Sequence, residues 1–436
     1  MSDIRNIDEV NMEMDDIFLL QWIATVGARP PRNTRWHHNR LDWNEHAEQL
    51  IHERRFANEY RMSPAAHRNL LRLLDPILQR VEWNSRGSEP ILVEHIMALG
   101  LRVLAGGQMA DNRHIIGASR AAGYKAFDDF VDAVNSHPEL DINFPKSAEE
   151  WREINDGFKA KSSDNIMEGC VGAIDGYFQR IQTPTKKEAG NVIAYYSGHY
   201  ESHGVNCQAC VRSDLRFMYF GVVSPGSTND NISYPIATGL RSVVEDLPTG
   251  MYCVADAAYT LHENLLIPFT GAEHLDGAHD SFNFYLSQLR IRVEMAFGCL
   301  TNKFRILKGC VLGSLDRVTS IVMACARLHN YIIAMDGPND TFDEVVEGGE
   351  DAEFSIVPHP DAPLRMSYLP VVPNDEWEKF DGISYTRLAI VDYLRENGIM
   401  RPLYNLERKQ MEVMDAEANG DGNNNIQWDD EYISPS

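Results

Sequence analysis

Three acids in this chain occupy contexts in which a carboxylate can do metal chemistry: Asp175, Asp256 and Glu294. Asp175 closes the apolar run Val171-Gly172-Ala173-Ile174, and Asp256 closes Tyr252-Cys253-Val254-Ala255. A buried strand that ends in a carboxylate brings charge to a sheet edge, where ligands bind in α/β folds. A lone carboxylate there is costly to desolvate, and a divalent cation removes that cost. Glu294 stands about 100° round from Val293, at the margin of the helical stripe Leu286, Leu289, Val293, Phe297, Leu300 and Phe304. Hard oxygen donors with few competing His or Cys select Mg2+ or Mn2+ over zinc. Two such ions can activate a water and stabilise a leaving 3′-oxygen in phosphodiester cleavage. The chain holds 64 acids, so spacing alone selects none of them. Taken singly, Asp175 and Asp256 read equally well as turn-forming or capping aspartates, and Glu294 as the salt-bridge partner of Arg290 one turn back.

The elements that must carry these acids can be traced along the chain. Ser63-Pro64 is an N-cap followed by a first-turn proline, and Leu70, Leu71, Leu73, Leu74, Ile77 and Leu78 recur at helical spacing. A second helix is predicted from about Val93 to Ala105, a short one from Asp111 to Ile116, and one capped by Ser119 running through Phe127, Phe130, Val131 and Val134. That order is also that of a helix-turn-helix, in which Arg120 and Lys125 would face DNA. From Cys170 the texture becomes β-like. Cys170–Ile174 and Tyr177–Gln182 are expected to form a hairpin around Asp175-Gly176, and Val205–Val211 and Leu215–Val223 another. Met251–Ala255 is a fifth apolar run, and helices are expected at about Leu261–Ile267, Phe282–Phe304, Leu315–Ala334 and Tyr385–Glu396. The predicted class is α/β, a mixed sheet covered by helices and preceded by an all-α, helix-turn-helix-like region.

Charge sets a constraint on partners. The net −24 is unevenly spread: Gly337–Ser436 carries 22 acids and 7 bases, and the rest carries a net −9. Counterion release on DNA needs clustered Lys and Arg, so this balance predicts weak unaided binding to phosphates. The Arg29–Arg40 stretch, with Trp36 among its arginines, is a candidate backbone contact. No run approaches the ~18 apolar residues of a membrane span, and MSDIRNIDEV has no signal-peptide character. Seven cysteines, all between Cys170 and Cys325, suit reduced core thiols. Cys207 and Cys210 are three apart on a predicted strand, so they point to opposite faces and make a poor zinc pair.

The motifs from Val171 to Leu307 together resemble the DDE catalytic domain of PIF/Harbinger transposases and their domesticated relatives. They are Gly172-Ala173-Ile174-Asp175-Gly176, Tyr195-Tyr196-Ser197-Gly198-His199, Val205-Asn206-Cys207-Gln208-Ala209, Pro225-Gly226-Ser227-Thr228-Asn229-Asp230, Ala255-Asp256-Ala257-Ala258-Tyr259 and Ile267-Pro268-Phe269. Arg290 through Gly298, Phe304-Arg305-Ile306-Leu307 and Leu328-His329-Asn330 follow, and Phe56 with Tyr60–Pro64 matches the N-terminal helical signature. The resemblance spans about residues 50–335. It implies an RNase H-like fold with Asp175 on the first strand, Asp256 after the fourth and Glu294 on the helix behind. It also implies Asp230 as a fourth acid near two Mg2+ (or Mn2+) ions, and cutting of element ends with joining of the 3′-hydroxyl to target DNA. A Myb/SANT-like accessory protein would bring the chain to DNA and into the nucleus, with a cytoplasmic pool in the partner's absence, and the enzyme could act as a homo-oligomer. The alternative is a domesticated, catalytically silent DNA- or chromatin-binding protein. The expected regions are a mixed arm (1–50), a helical region (51–160), the catalytic domain (168–335) and an acidic, partly disordered tail (337–436). The family usually has Gly where Ala255 stands and an acid where Arg212 stands.

Overall fold

The computed structural model describes residues 39–79, 91–271, 273, 276–337 and 384–402. Most of the Arg29–Arg40 stretch and of the acidic tail lies outside these residues. Arg40 itself is described and donates to the Gly117 carbonyl.

The helical region comprises α1 (Trp43–His52), α2 (Phe56–Tyr60), α3 (Pro64–Leu78), α4 (Val93–Leu104), α5 (Met109–Ile115), α6 (Arg120–Ser136) and α7 (Ala148–Lys159). Their starts are where the sequence chemistry puts them: Ser63 Oγ accepts the Ala66 N–H, and Ser119 Oγ that of Ala122. Gly100 lets α4 cross α6 closely, because a Cβ there would lie 2.1 Å from the Phe130 ring. The buried face of α6 is Gly123, Ala126, Phe127, Phe130, Val131, Ala133 and Val134.

The second half contains β1 (Cys170–Arg180), α8 (Lys186–Ala189), β2 (Tyr196–Ser197), β3 (Ser202–Val211), β4 (Phe217–Pro225), α9 (Asp230–Ile236), α10 (Thr238–Glu245), β5 (Tyr252–Val254), β6 (Leu265–Leu266), α11 (Gly277–Lys303), α12 (Leu315–Asp336) and α13 (Tyr385–Glu396). β1 lies between β3, which it pairs antiparallel, and β5, which it pairs parallel; β4 flanks β3 and β6 flanks β5. The result is a mixed sheet covered by helices, compatible with an RNase H-like arrangement.

Two expectations are corrected. Cys170–Arg180 is one continuous strand, not a hairpin around Asp175-Gly176. A tight hairpin would need a positive φ at Gly176, which it does not have, and eight unbroken pairs with β3 from Ala173 to Arg180 hold the chain extended. Leu261–Ile267 is not a helix either: Leu265 and Leu266 form the short parallel strand β6, because that apolar run is consumed by the sheet edge beside β5.

The two halves share one hydrophobic core. α12 joins them: Asn135 on α6 donates to the Ser320 carbonyl at 2.8 Å, and Asp336 accepts the Ser63 backbone N–H and hydroxyl at 2.8 and 2.6 Å. α12 has the length and hydropathy of a membrane span, but 61% of that window is buried inside this core.

Candidate active site

Asp175 lies within β1, opposite Ala209 of β3, and is partly buried. Side chains alternate along a strand, so Asp175, Tyr177 and Gln179 share one face and Gly176 and Phe178 the other. The Asp175 face is the one covered by α11: the Tyr177 ring packs against Phe297 at 5.2 Å. Burial pushes the Asp175 carboxyl well above the ordinary carboxylate range, and the Asp256 charge pushes it further. The Arg290 guanidinium and the Gly176 N–H, which donates at 2.8 Å, pull the other way, and the charge of Asp230 adds to the rise.

Asp256 follows β5, whose residues Tyr252, Cys253 and Val254 are all buried. The parallel pair Ala173↔Val254 brings Asp175 and Asp256 level, each two residues further on. The Asp256 carboxylate also accepts the Ala258 N–H at 2.9 Å, so the turn-forming role and the place beside Asp175 coexist. Ala255 is buried, and its backbone is not left-handed, so no glycine is required there.

Glu294 is on α11, whose buried residues include Leu286, Leu289, Val293 and Leu300 of the expected stripe. Its carboxylate pairs with Arg290 at 2.5 Å, the expected contact one turn back. The pair has ion-pair distance without hydrogen-bond alignment at Glu294 Oε1. Because Arg290 also acts on Asp175, its guanidinium is the electrostatic link between the helix and the strand.

Asp230 opens α9 and lies against the other face of β1. A Cβ on Gly176 would fall 2.0 Å from Asp230 Oδ1, so glycine is the residue that admits this carboxylate. Asp230 Oδ1 accepts from Asn206 Nδ2 at 3.0 Å and Gln208 Nε2 at 2.7 Å. Gln208 is fully buried; its Oε1 accepts the Tyr259 hydroxyl at 2.8 Å and its Nε2 also donates to Asn206 Oδ1 at 3.0 Å. Asn206, Gln208 and Tyr259 stood in the sequence only as letters of longer motifs. Alternate buried amides on an otherwise apolar strand were the available signal.

The structure thus brings Asp175 beside Asp256, holds Glu294 on the covering helix through Arg290, and sets Asp230 across the sheet. Among the described residues no group of three or more His, Cys, Asp or Glu converges on one ion position. The donors at Asp175 and Asp256 nevertheless fit a hard divalent cation, which would offset the burial and the repulsion that raise Asp175. Cys207 and Cys210 lie on opposite faces as expected: Cys207 pairs across from Tyr177, and Cys210 from Ile174. Arg212 is in the β3–β4 turn, 3.6 Å from both Glu153 and Asp214. Arg120 and Lys125 are exposed on α6; Lys125 pairs with Asp129 at 2.9 Å, and Arg120 lies over the Tyr124 ring at 6.0 Å.

Residues 174–330 match the family model of the DDE superfamily endonucleases. No curated protein and no solved structure matches the chain. All four acids fall inside the matched segment, and the helical region with Arg120 and Lys125 precedes it.

Proposed function

We propose that this chain is a divalent-metal-dependent DNA endonuclease of the transposase type, related to PIF/Harbinger enzymes, which cuts phosphodiesters and joins 3′-hydroxyl ends to target DNA. The observation that carries the reading is the Asp175–Asp256 pair. Two carboxyl groups are set level with each other, one on the central strand and one at the end of its parallel neighbour, within a segment that matches DDE endonucleases. In this reading Asp175, Asp256 and Glu294 hold Mg2+ or Mn2+, two ions in all. Bound ions would activate the attacking water and stabilise the leaving 3′-oxygen. The protein's own part is to align the aspartates through the β1–β5 register and to present Glu294 once Arg290 releases it. Arg120 and Lys125 would meet the DNA backbone from α6.

The net charge of −24 works against unaided DNA binding. A Myb/SANT-like accessory protein that carries the chain to DNA and into the nucleus answers this, and the lone chain would then stay largely cytoplasmic. Nicking of a DNA duplex by the purified chain with Mg2+ or Mn2+, lost in Asp175→Ala, is the expected result. DNA binding without metal-dependent cleavage, in the chain alone and with its partner, would replace this reading by a catalytically silent DNA- or chromatin-binding protein. Nuclear entry of the chain expressed alone would remove the need for the partner.

A further inference from the structure

The face of the sheet opposite Asp175 carries a connected set of polar contacts among Asp230, Asn206, Gln208 and Tyr259. Gly176 and Gln208 are directly paired across β1 and β3. With no side chain at 176, the Asp230 carboxylate occupies the space beside Gln208. Every polar atom of the Gln208 amide is used: Oε1 takes the Tyr259 hydroxyl, and Nε2 gives to Asp230 and Asn206. Tyr259 is only three residues beyond Asp256, and that stretch is tied to α9 twice more. The Thr260 hydroxyl donates to Asn231 Oδ1 at 2.7 Å, and the Tyr259 and Tyr234 rings meet edge to face at 5.7 Å.

We propose that Asp230, Gln208 and Tyr259 form a clamp that positions the Asp256 turn against Asp175, with Asp230 acting as a hydrogen-bond acceptor from across the sheet rather than as a metal ligand. The assignment rests on the reading of Asp175 and Asp256 as metal carboxylates. Alternation on β1 is its first support, because Asp175 points toward α11 whereas Asp230 meets Gly176 from the other side. The donors to Asp230 are its second. Two neutral amides converge on one oxygen, an arrangement that orients the carboxylate and stabilises its charge by hydrogen bonding. Tyr259 is suited to be the permanent donor, since burial and the charges of Asp175, Asp230 and Asp256 raise its phenol well above the ordinary range. Loss of a buried partner that orients a metal ligand typically costs about 10–100-fold in metal affinity.

The test uses the full chain with Mn2+ as probe. Metal binding is read from the thermal upshift over a Mn2+ titration, and the order of the Asp256 turn from amide hydrogen exchange of residues 255–261 without metal. Tyr259→Phe and Asp230→Ala should each raise the Mn2+ midpoint by about tenfold and speed exchange in 255–261. Asp230→Asn, which keeps the accepting oxygen, should restore both toward wild type, with Asp175→Asn as the variant that loses the metal response. If Asp230→Asn loses Mn2+ as fully as Asp175→Asn does, Asp230 is a ligand and the clamp is overturned. Wild-type exchange and Mn2+ midpoint in Tyr259→Phe would overturn it as well. A wild-type chain with no Mn2+ response sinks the metal reading instead, and the exchange arm still decides whether the turn is clamped.

Discussion

Arg290 and Glu294 form an ion pair one turn apart on α11, and the same guanidinium lowers the cost of charging Asp175 on the strand below. A side-chain cation therefore serves the acids from the direction in which Glu294 must act. Replacing it by a neutral side chain leaves the cluster more negative and frees Glu294. Arg290→Gln is expected to bind Mn2+ more tightly than wild type and to be less stable without metal. Calorimetric titration with Mn2+ checks this, and weaker binding would show that Arg290 orients the ligands rather than competing for them.

Asp175 gives the complementary result. Its carboxyl is raised by the fold, so the folded state holds a proton more readily than the unfolded chain does, and the cost of this group to stability shrinks as pH falls. Asp175→Asn should raise the metal-free melting temperature by roughly 1–3 °C while abolishing metal-dependent stabilisation and cleavage. A lower melting temperature would mean that the carboxylate is structural.

Acid sensitivity should come from two buried histidines far from one another in sequence. His67, stacked on Trp43 at 5.1 Å, and His329, bonded to the Leu215 carbonyl at 2.9 Å, are both held down to about 4 by burial. Between their ordinary value of 6.5 and 4 the unfolded chain takes up protons that the folded chain refuses. Their contribution to stability is thus complete above pH 6.5 and is lost as pH falls toward 4, by up to about 3 kcal/mol for each. His67→Phe should flatten this limb in denaturant unfolding followed from pH 7 to 4, and an unchanged slope would clear His67.

The exposed bases of α6 make a separate prediction for DNA. Arg120→Ala with Lys125→Ala should reduce affinity for duplex and make its salt dependence shallower by up to about two units of slope. The Lys125–Asp129 pair already neutralises part of one charge, so the Arg120 change should dominate. An unchanged slope would return α6 to packing alone.

Glu263 holds α13, the last helix among the described residues, on the sheet edge. Its buried carboxylate accepts the Tyr385 and Thr386 N–H groups at 2.7 and 2.9 Å, at the positive end of α13, while Arg387 stacks over Phe269. Glu263→Ala should cost about 2–3 kcal/mol locally and release residues 384–402 to protease without unfolding the sheet. Protection equal to wild type would place the docking energy in Ile390, Val391 and Leu394 instead.

Local chemistry was legible wherever one residue type settles a backbone choice. Ser63, Ser119 and the 3.6-residue spacing of Leu286, Leu289 and Val293 placed helices close to their observed positions, and Tyr385–Glu396 was placed to the residue. The places of Asp175 and Asp256 in the fold were legible because each ends or interrupts an apolar run, which puts them on a strand or just beyond one. Asp175-Gly176 carries the local signal of a hairpin turn, whereas pairing on both edges of β1 keeps it extended. The glycine answers to Asp230, which is 54 positions away and meets it only in the folded chain. Leu265-Leu266 became a strand for a similar reason, since an edge beside β5 was open to be paired. What the sequence determined by itself was therefore each element that propensity and capping decide. The tertiary structure decided which face each acid occupies, because a face depends on strand register, and register is set by partners remote in the chain.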